Sequence, residues 1–478
     1  MKAHPHAATP KPRKPPAQDA KPIPARAASV ATAPATVKIT PARTAAFEIL
    51  ALVGEGKGHS DELLHSHRTA ALSPEDRNLA TALVMGVLRW QIALDARIAR
   101  LLARPGQRVA EPVALALRMG TFQLLHMDRI PPHAALSESV ELCRASGQPH
   151  ATGMVNAVLR KLAAANPTSQ NRDAGHQPKG VPIFESPAAF AERLAHPLWL
   201  VDRWIAAYGR DAALAICEYD QHEPHAGGLF REEAPRADAD SPSPSESAPQ
   251  MDDGSRLIAE LAAAALPATQ DRVPRVWDCC AAPGGKTLQL ARRLPAAEIL
   301  ATDISAKRLT QVAARLRHYG YTQNVRCAVA DASAPVDDPQ AAFDLILCDV
   351  PCSGTGTLAR NPEIRLRLRP EDLARHAQRQ RAILGGALCR LAPGGRLLYS
   401  TCSLEPEENQ RVIEAVASSA GVRQLAIAPF LGQLGDSGVL QPEVTASLLN
   451  TAIFDGTLRT LPGIHPCDGF YAILLERN

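Results

Sequence analysis

Two different periodicities divide this chain. From about residue 41 to 163, apolar positions recur every three to four residues, the spacing that gathers them on one face of a helix. The run from Arg43 through Phe47, Ile49, Leu50 and Val53 opens the series. Ser73-Pro74-Glu75-Asp76 then joins an N-cap hydroxyl, a proline pre-set for the first turn and two acids suited to the positive helix end, which predicts a helix through Asn78–Trp90. Further helices are expected over Leu94–Leu102, Glu111–His126, Ala134–Ala145 and Gly153–Leu162. Pro105-Gly106, Pro131-Pro132 and Gly147-Gln148-Pro149 punctuate them. The segment 41–163 therefore reads as an all-α domain.

From about 252 to 478, short apolar runs alternate with amphipathic ones. Strands are expected at Arg275–Asp278, Glu298–Asp303, Val325–Asp331, Phe343–Asp349 and Arg396–Thr401, with helices at Lys286–Arg293, Ala306–Tyr319 and Pro370–Leu391. Such alternation specifies a mostly parallel, doubly wound sheet, so the fold class is α + α/β. Ligands of these sheets bind beyond the carboxyl ends of the strands. Residues 164–251 read as a linker with helical pieces at Pro197–Trp204 and Asp211–Glu218, and with a Ser/Pro-rich, low-complexity insert at 231–250. Residues 1–40 have few large apolar side chains to offset their ordering entropy and read as a disordered, basic, Pro/Ala-rich tail.

Charge sharpens this division. The chain holds 52 Lys+Arg and 49 Asp+Glu, a net of +3. Seven of those cations and a single acid fall within residues 1–40, so the remainder carries a net of −3. A uniformly basic, chromatin-like protein is excluded, and any polyanion must be held by local patches. No uninterrupted apolar run reaches the roughly eighteen residues a bilayer span needs. No apolar stretch near the N-terminus precedes a cleavage signature. A cytoplasmic protein without membrane attachment is expected. The ten cysteines include no Cys-x-x-Cys pair, which argues against a disulfide scaffold or a zinc ribbon, and no metal is expected.

The chemistry lies at the expected strand ends. Asp278-Cys279-Cys280-Ala281-Ala282-Pro283-Gly284-Gly285-Lys286 forms a strand–turn–helix junction that matches neither the P-loop nor the dinucleotide glycine pattern. Asp303, Asp331 and Asp349 then end the next three strands. An acid after the second strand suits a ribose diol, and one after the third can accept from an adenine amino group. An adenosine ligand without a pyrophosphate follows, and S-adenosylmethionine is the candidate cofactor. Cys352, in Asp349-Val-Pro-Cys-Ser-Gly-Thr-Gly356, and Cys402, in Ser400-Thr-Cys-Ser403, follow adjacent strands. Two thiols beside a methyl donor suggest nucleophilic catalysis on a pyrimidine carbon that reacts only after a thiolate has added to the ring.

These motifs resemble those of the RNA (cytosine-5) methyltransferases, in the branch of the bacterial RsmB/Sun (Fmu) proteins that act on 16S ribosomal RNA. Residues 41–163 are similar to the NusB-like RNA-binding domain of that branch at Asp76-Arg77-Asn78, Leu117-Arg118-Met119-Gly120, Ile130-Pro-Pro-His133 and Val155-Asn156 through Arg160-Lys161. The resemblance implies a Rossmann-like methyltransferase domain at 252–478 in which Cys402 is the nucleophile and Cys352 assists product release. It implies that Asp349 contacts the cytosine edge and the methionine end of the cofactor. Cys280, Ala281, Ala282, Pro283, Gly284, Gly285 and Lys286 would wrap the cofactor, with Asp303 on the ribose and Asp331 near the adenine. His465-Pro-Cys-Asp468-Gly-Phe-Tyr471 looks like the family's last motif, a loop entering a final strand. RNA rather than DNA is the expected partner, and a monomer is expected. Arg360, Arg365, Arg367, Arg369, Arg375, Arg379 and Arg381 are expected to meet phosphates, with Arg77, Arg89 and Arg160 as further candidates.

One stretch departs from the family. Between Phe230 and Met251, a Ser/Pro-rich run stands where a small RNA-binding subdomain is usual, so RNA docking is expected to differ. Met251-Asp-Asp-Gly-Ser255 resembles the element that normally closes that subdomain. Methylation of another RNA (transfer RNA or 23S ribosomal RNA) and a non-catalytic ribosome-assembly role are the alternatives.

Overall fold

The computed structural model describes residues 38–104, 106–165, 185–224, 227–231, 251–269, 272–334, 342–417 and 420–478. The expected basic tail, save for its last three residues, and the low-complexity insert, save for Arg231, lie outside these ranges.

The first part is helical throughout. Its principal helices are Pro41–Gly54, Pro74–Ala99, Glu111–His126, Pro132–Ala145 and Thr152–Ala165. Ser73 caps the second as anticipated, accepting from Asp76 N–H at 3.1 Å. That helix is 26 residues long and continues past Trp90 to Ala99, where two helices were expected. No proline or glycine stands between Trp90 and Leu94 to interrupt it. By length and mean hydropathy (1.3) it would suffice to cross a membrane. Here its Leu83, Val84, Val87, Leu94 and Ile98 instead pack into a core with Ile49, Leu50, Leu117, Leu142, Val155 and Leu159. Each such Leu contributes on the order of 1.5–3 kcal/mol by leaving water.

Three shorter helices follow, Pro187–Arg193, Leu198–Tyr208 and Arg210–Tyr219. Their Phe190, Leu200, Val201, Trp204, Ile216 and Cys217 pack on Leu358, Leu404 and Leu461. This clasp lies over the chain just beyond each of the two cysteines of interest.

The remainder is built on a sheet of β1 (Arg275–Asp278), β2 (Glu298–Asp303), β3 (Val325–Val329), β4 (Phe343–Asp349), β5 (Leu391–Thr401), β6 (Val422–Leu425), β7 (Ile453–Phe454), β8 (Thr457–Arg459) and β9 (Tyr471–Arg477). Its order is β3-β2-β1-β4-β5-β9-β8-β7, with β6 also paired to β9. β1 to β5 are parallel, and β9 runs antiparallel to β5. Side chains alternate across the sheet, as the period of two requires. Leu345 and Leu347 join Val276, Ile299 and Leu398 in one core, against helices Asp253–Ala264 and Gly285–Arg293. Ile346 and Cys348 join Trp277, Leu397 and Tyr399 in the other, against helix Pro370–Cys389. Both faces are therefore covered, and the exposed edge for ligands is the row of carboxyl ends.

Polar contacts lock the helical part onto the loop that follows Cys352. Ser60 donates its N–H and hydroxyl to the buried Glu363 carboxylate, at 3.1 and 2.9 Å. Arg89 donates to the Ala359 carbonyl at 2.9 Å and is itself buried, which removes it from the candidate phosphate contacts. Arg77 and Arg160 remain exposed.

Candidate active site

The strand–turn–helix junction after β1 places backbone and carboxylates around a cleft. Gly284 has φ of +100°, the left-handed region, and a Cβ there would meet Val312 at 3.1 Å, so only glycine turns the chain into the helix without strain. The cleft that results is about 200 Å³ and is lined by Cys280, Ala281, Ala282, Pro283, Gly284, Gly285, Lys286, Asp278 and Asp349, with Met251, Asp252, Ser255 and Arg315. A second cleft of about 180 Å³ is lined by Cys279, Asp303, Ile304, Arg308, Asp331, Arg379 and Ile383, among others, and shares Cys280 with the first. The cofactor-binding candidates thus separate into one chamber around the glycine turn and one bearing the two strand-end acids.

Lys286 organises the first chamber. Its Nζ lies 2.8 Å from Asp349 Oδ2 and donates to Ser255 Oγ at 3.2 Å. Burial by itself would lower the Lys286 pKa, but the carboxylates of Asp349 and Asp252, with a smaller contribution from the Cys402 sulfur, raise it above the ordinary lysine value. The other oxygen of Asp349 accepts from Ser400 Oγ at 2.7 Å. Asp278 is enclosed, and burial raises its pKa to about 7 despite the bond from Thr287 Oγ1. In the second chamber, Asp303 accepts from Ser305 N–H at 2.9 Å. Asp331, just past the end of β3, accepts from Ser333 N–H and hydroxyl, which hold its pKa below the usual carboxylate value.

The two thiols meet. Cys352 and Cys402, fifty residues apart, follow the adjacent strands β4 and β5 and place their sulfurs 3.3 Å from each other. Their loops are also joined by backbone, because Gly356 N–H donates to the Cys402 carbonyl at 2.9 Å. A Cβ at Gly356 would lie 2.2 Å from the Gly469 carbonyl oxygen, so the chain from the last motif packs directly on this loop. The contact with Cys402, then burial, push the Cys352 thiol well above its ordinary pKa.

The polar side chains of the last motif are engaged within the protein. His465 accepts from Leu461 N–H at 2.8 Å, and Asp468 takes Arg360 Nε at 2.7 Å. Burial raises the Asp468 pKa to about 6, with Arg360 opposing the rise. The arginine run divides. Arg365 is enclosed and donates to the carbonyls of Arg89, Ala195, Asp220 and Leu358, and Arg367 donates to those of Val53 and Gly58. These two are corrected from phosphate ligands to packing elements. Arg369, Arg375, Arg379 and Arg381 are exposed.

Reading the chain alone missed several residues. Met251, Asp252 and Ser255 were assigned to the closure of a subdomain, yet they line the first chamber. Ser353, Ser403, Gln380, Glu408 and Asn409 form a buried polar network behind the thiols. The available signal was the cluster Glu405-Pro-Glu-Glu-Asn409 so soon after Cys402, since acids that close to the end of a buried strand are solvated only if the fold leaves them a free face. Among the described residues, no group of three His, Cys, Asp or Glu is placed to hold a metal ion.

Comparison with known proteins bears on both parts of the chain. The NusB family matches residues 40–164, and the family described as 16S rRNA methyltransferase RsmB/F matches residues 264–476. Ribosomal RNA small subunit methyltransferase B of Xanthomonas campestris pv. campestris is 35% identical over 463 residues, covering 91% of this chain and 97% of that protein. The protein of the same name from Klebsiella pneumoniae subsp. pneumoniae is 30% identical over 438 residues, covering 85% and 92%. The crystal structure of PH0851 covers 93% of this chain and 100% of its own, with a TM-score of 0.65 at 20% identity, and so shares the fold. A helical NusB unit joined to a Rossmann-like sheet, and kinship along nearly the full length, make the chain a member of the RsmB/F family of 16S rRNA methyltransferases.

Proposed function

We propose that this protein methylates carbon 5 of a cytosine in 16S ribosomal RNA, with Cys402 as the nucleophile and S-adenosylmethionine as the methyl donor. The observation that carries the reading is the pair of thiols 3.3 Å apart, beside a cleft in which Lys286 and Asp349 are joined. The donor set fits the cofactor. Strand-end carboxylates at Asp303 and Asp331 suit ribose hydroxyls and an exocyclic amine, and the left-handed Gly284 turn lets backbone approach a ligand at the helix start. When bound, S-adenosylmethionine supplies an electrophilic methyl group.

The chain's own residues account for the rest. Cytosine C5 is unreactive until a thiolate adds at C6, which moves electron density onto C5. Cys402 forms that bond, and Asp349, anchored by Lys286 and Ser400, holds the base edge. Once C5 carries the methyl group, water takes the C5 proton, the C–H electron pair re-forms the C5–C6 double bond, and the C6–sulfur bond breaks to release Cys402 as a thiolate. Cys352, a protonated thiol at contact distance from that sulfur, donates to the departing thiolate and so assists release. The base reaches the thiols only when unstacked from its neighbours.

The test uses the two cysteines separately. Cys402→Ala is expected to abolish transfer of labelled methyl to 16S ribosomal RNA while donor binding persists, and retained transfer would overturn the assignment. Cys352→Ala is expected to accumulate a denaturant-resistant protein–RNA adduct. Absence of that adduct, with transfer lost, would remove the release role.

A further inference from the structure

The thiol pair is assembled by a side chain that belongs to neither cysteine motif. We infer that Glu408 is a positioning residue, clamping the Cys352 and Cys402 loops together so that both sulfurs face one substrate atom. The inference rests on the proposed two-thiol chemistry for its functional meaning, but its geometry stands independently.

Glu408 follows β5 by seven residues and is fully buried. Its carboxylate receives Ser353 N–H at 2.9 Å and also the Ser353 hydroxyl. It receives the Ser403 hydroxyl at 2.5 Å and Gln380 Nε2 at 2.9 Å. Each serine is the residue immediately after a cysteine of the pair. Gln380 donates as well to the carbonyl of Pro351, the residue immediately before Cys352. Every donor to this carboxylate therefore acts on the backbone within one residue of a thiol, or on a side chain that does.

The arrangement has a physical logic. A buried carboxylate is costly unless its lone pairs are taken. Among the described residues no cation pairs with Glu408, and four donors supply the compensation instead. Satisfying that charge requires both serines to be present together, so the two loops are energetically coupled. The hydroxyls of Ser353 and Ser403 lie 3.0 Å apart, directly behind sulfurs 3.3 Å apart. The backbone of Glu408 is fixed in turn, because its carbonyl accepts from Tyr399 OH at 2.7 Å. The charge also bears on the thiol in front of it, since Glu408 adds to the rise in the Cys352 pKa after the Cys402 contact and burial.

The experiment reads thiol proximity without RNA or methyl donor. Full-length protein is treated with a small disulfide oxidant. The two thiols lose two protons and two electrons, one sulfur–sulfur bond forms, and the reagent is reduced to two thiols. Peptide mass spectrometry follows the Cys352–Cys402 link. In Glu408→Ala, linking is expected to slow by about tenfold to a hundredfold, the loss of effective molarity that a displacement of about 1 Å produces. Glu408→Gln, whose amide oxygen still accepts from Ser353 N–H, is expected to restore most of the rate. Methyl transfer should show kcat reduced in Glu408→Ala with KM for RNA and donor unchanged. Ser403→Ala releases only the Cys402 side and serves if Glu408→Ala does not fold. Linking as fast as in the unaltered protein in Glu408→Ala, or in Ser403→Ala where Glu408→Ala does not fold, would overturn the inference. Because linking needs no substrate, loss of the proposed cytosine chemistry would leave this result intact, and the two failures are told apart.

Discussion

The arginines after Cys352 form one run in sequence and two populations in space. Arg360, Arg365 and Arg367 point inward. The first pairs with Asp468, the second is enclosed among four carbonyls, and the third ties down the backbone of Val53 and Gly58. Arg369, Arg375, Arg379 and Arg381, a few residues further on, are exposed around helix Pro370–Cys389. Arg379 also lines the chamber that holds Asp303 and Asp331. The difference teaches that a guanidinium, with five donors in a rigid plane, serves a junction between packed units as readily as it serves a polyanion. Arg365 joins carbonyls from the helical part, the clasp and the Cys352 loop, so it holds three parts of the chain at one point.

Breaking that contrast should produce graded effects. Arg365→Met leaves four carbonyls without their donor inside the protein, and a loss of about 3–5 kcal/mol is expected, read as a large drop in the denaturant midpoint. An unchanged midpoint would mean that the inward arginines are not structural. Arg360→Ala should cost about 1–3 kcal/mol near pH 8 and less near pH 5. The sign follows from Asp468, whose pKa burial raises to about 6. A carboxyl with a raised folded pKa binds protons that the unfolded chain has released, so it disfavours folding increasingly as pH climbs through that value. Without Arg360 the pKa rises further, so melting temperatures of variant and parent should diverge above about pH 6. Arg375→Ala and Arg381→Ala are expected to leave the melting temperature alone. Each should instead flatten the logarithmic salt dependence of RNA binding by about one unit, and an unaltered slope would show that the outward face does not meet phosphate.

Local signals made much of the scaffold legible. β1, β2 and β4 have the bounds that their apolar runs and terminal aspartates predict, and the cap at Ser73 begins its helix. The short β6, β7 and β8 were not foreseen, because two to four residues carry no periodicity and their pairing is set by β9. β5 begins at Leu391 rather than Arg396, since Leu391 already pairs with Phe343, and the Pro393-Gly394-Gly395 segment falls in the break of register before Arg396 meets Leu345. A ligand site was expected beside Asp303, Asp331 and the glycine turn, and clefts of about 180 and 200 Å³ lie there. The contribution of Met251, Asp252 and Ser255 was not, because helix Asp253–Ala264 reaches the cleft only by packing against helix Gly285–Arg293.

What sequence by itself determined is everything carried by spacing along the chain: two periodicities, the parallel sheet, and a cysteine placed after each of two neighbouring strands. These are short-range properties, dictated by backbone geometry and by which faces must leave water. Only the tertiary structure decided that the two sulfurs come within 3.3 Å, that Glu408 gathers the serines behind them, and which arginines are enclosed. The reason is physical. A side chain's protonation, satisfaction and burial depend on what other segments bring to it, and residues fifty or three hundred positions away leave no mark on the local pattern.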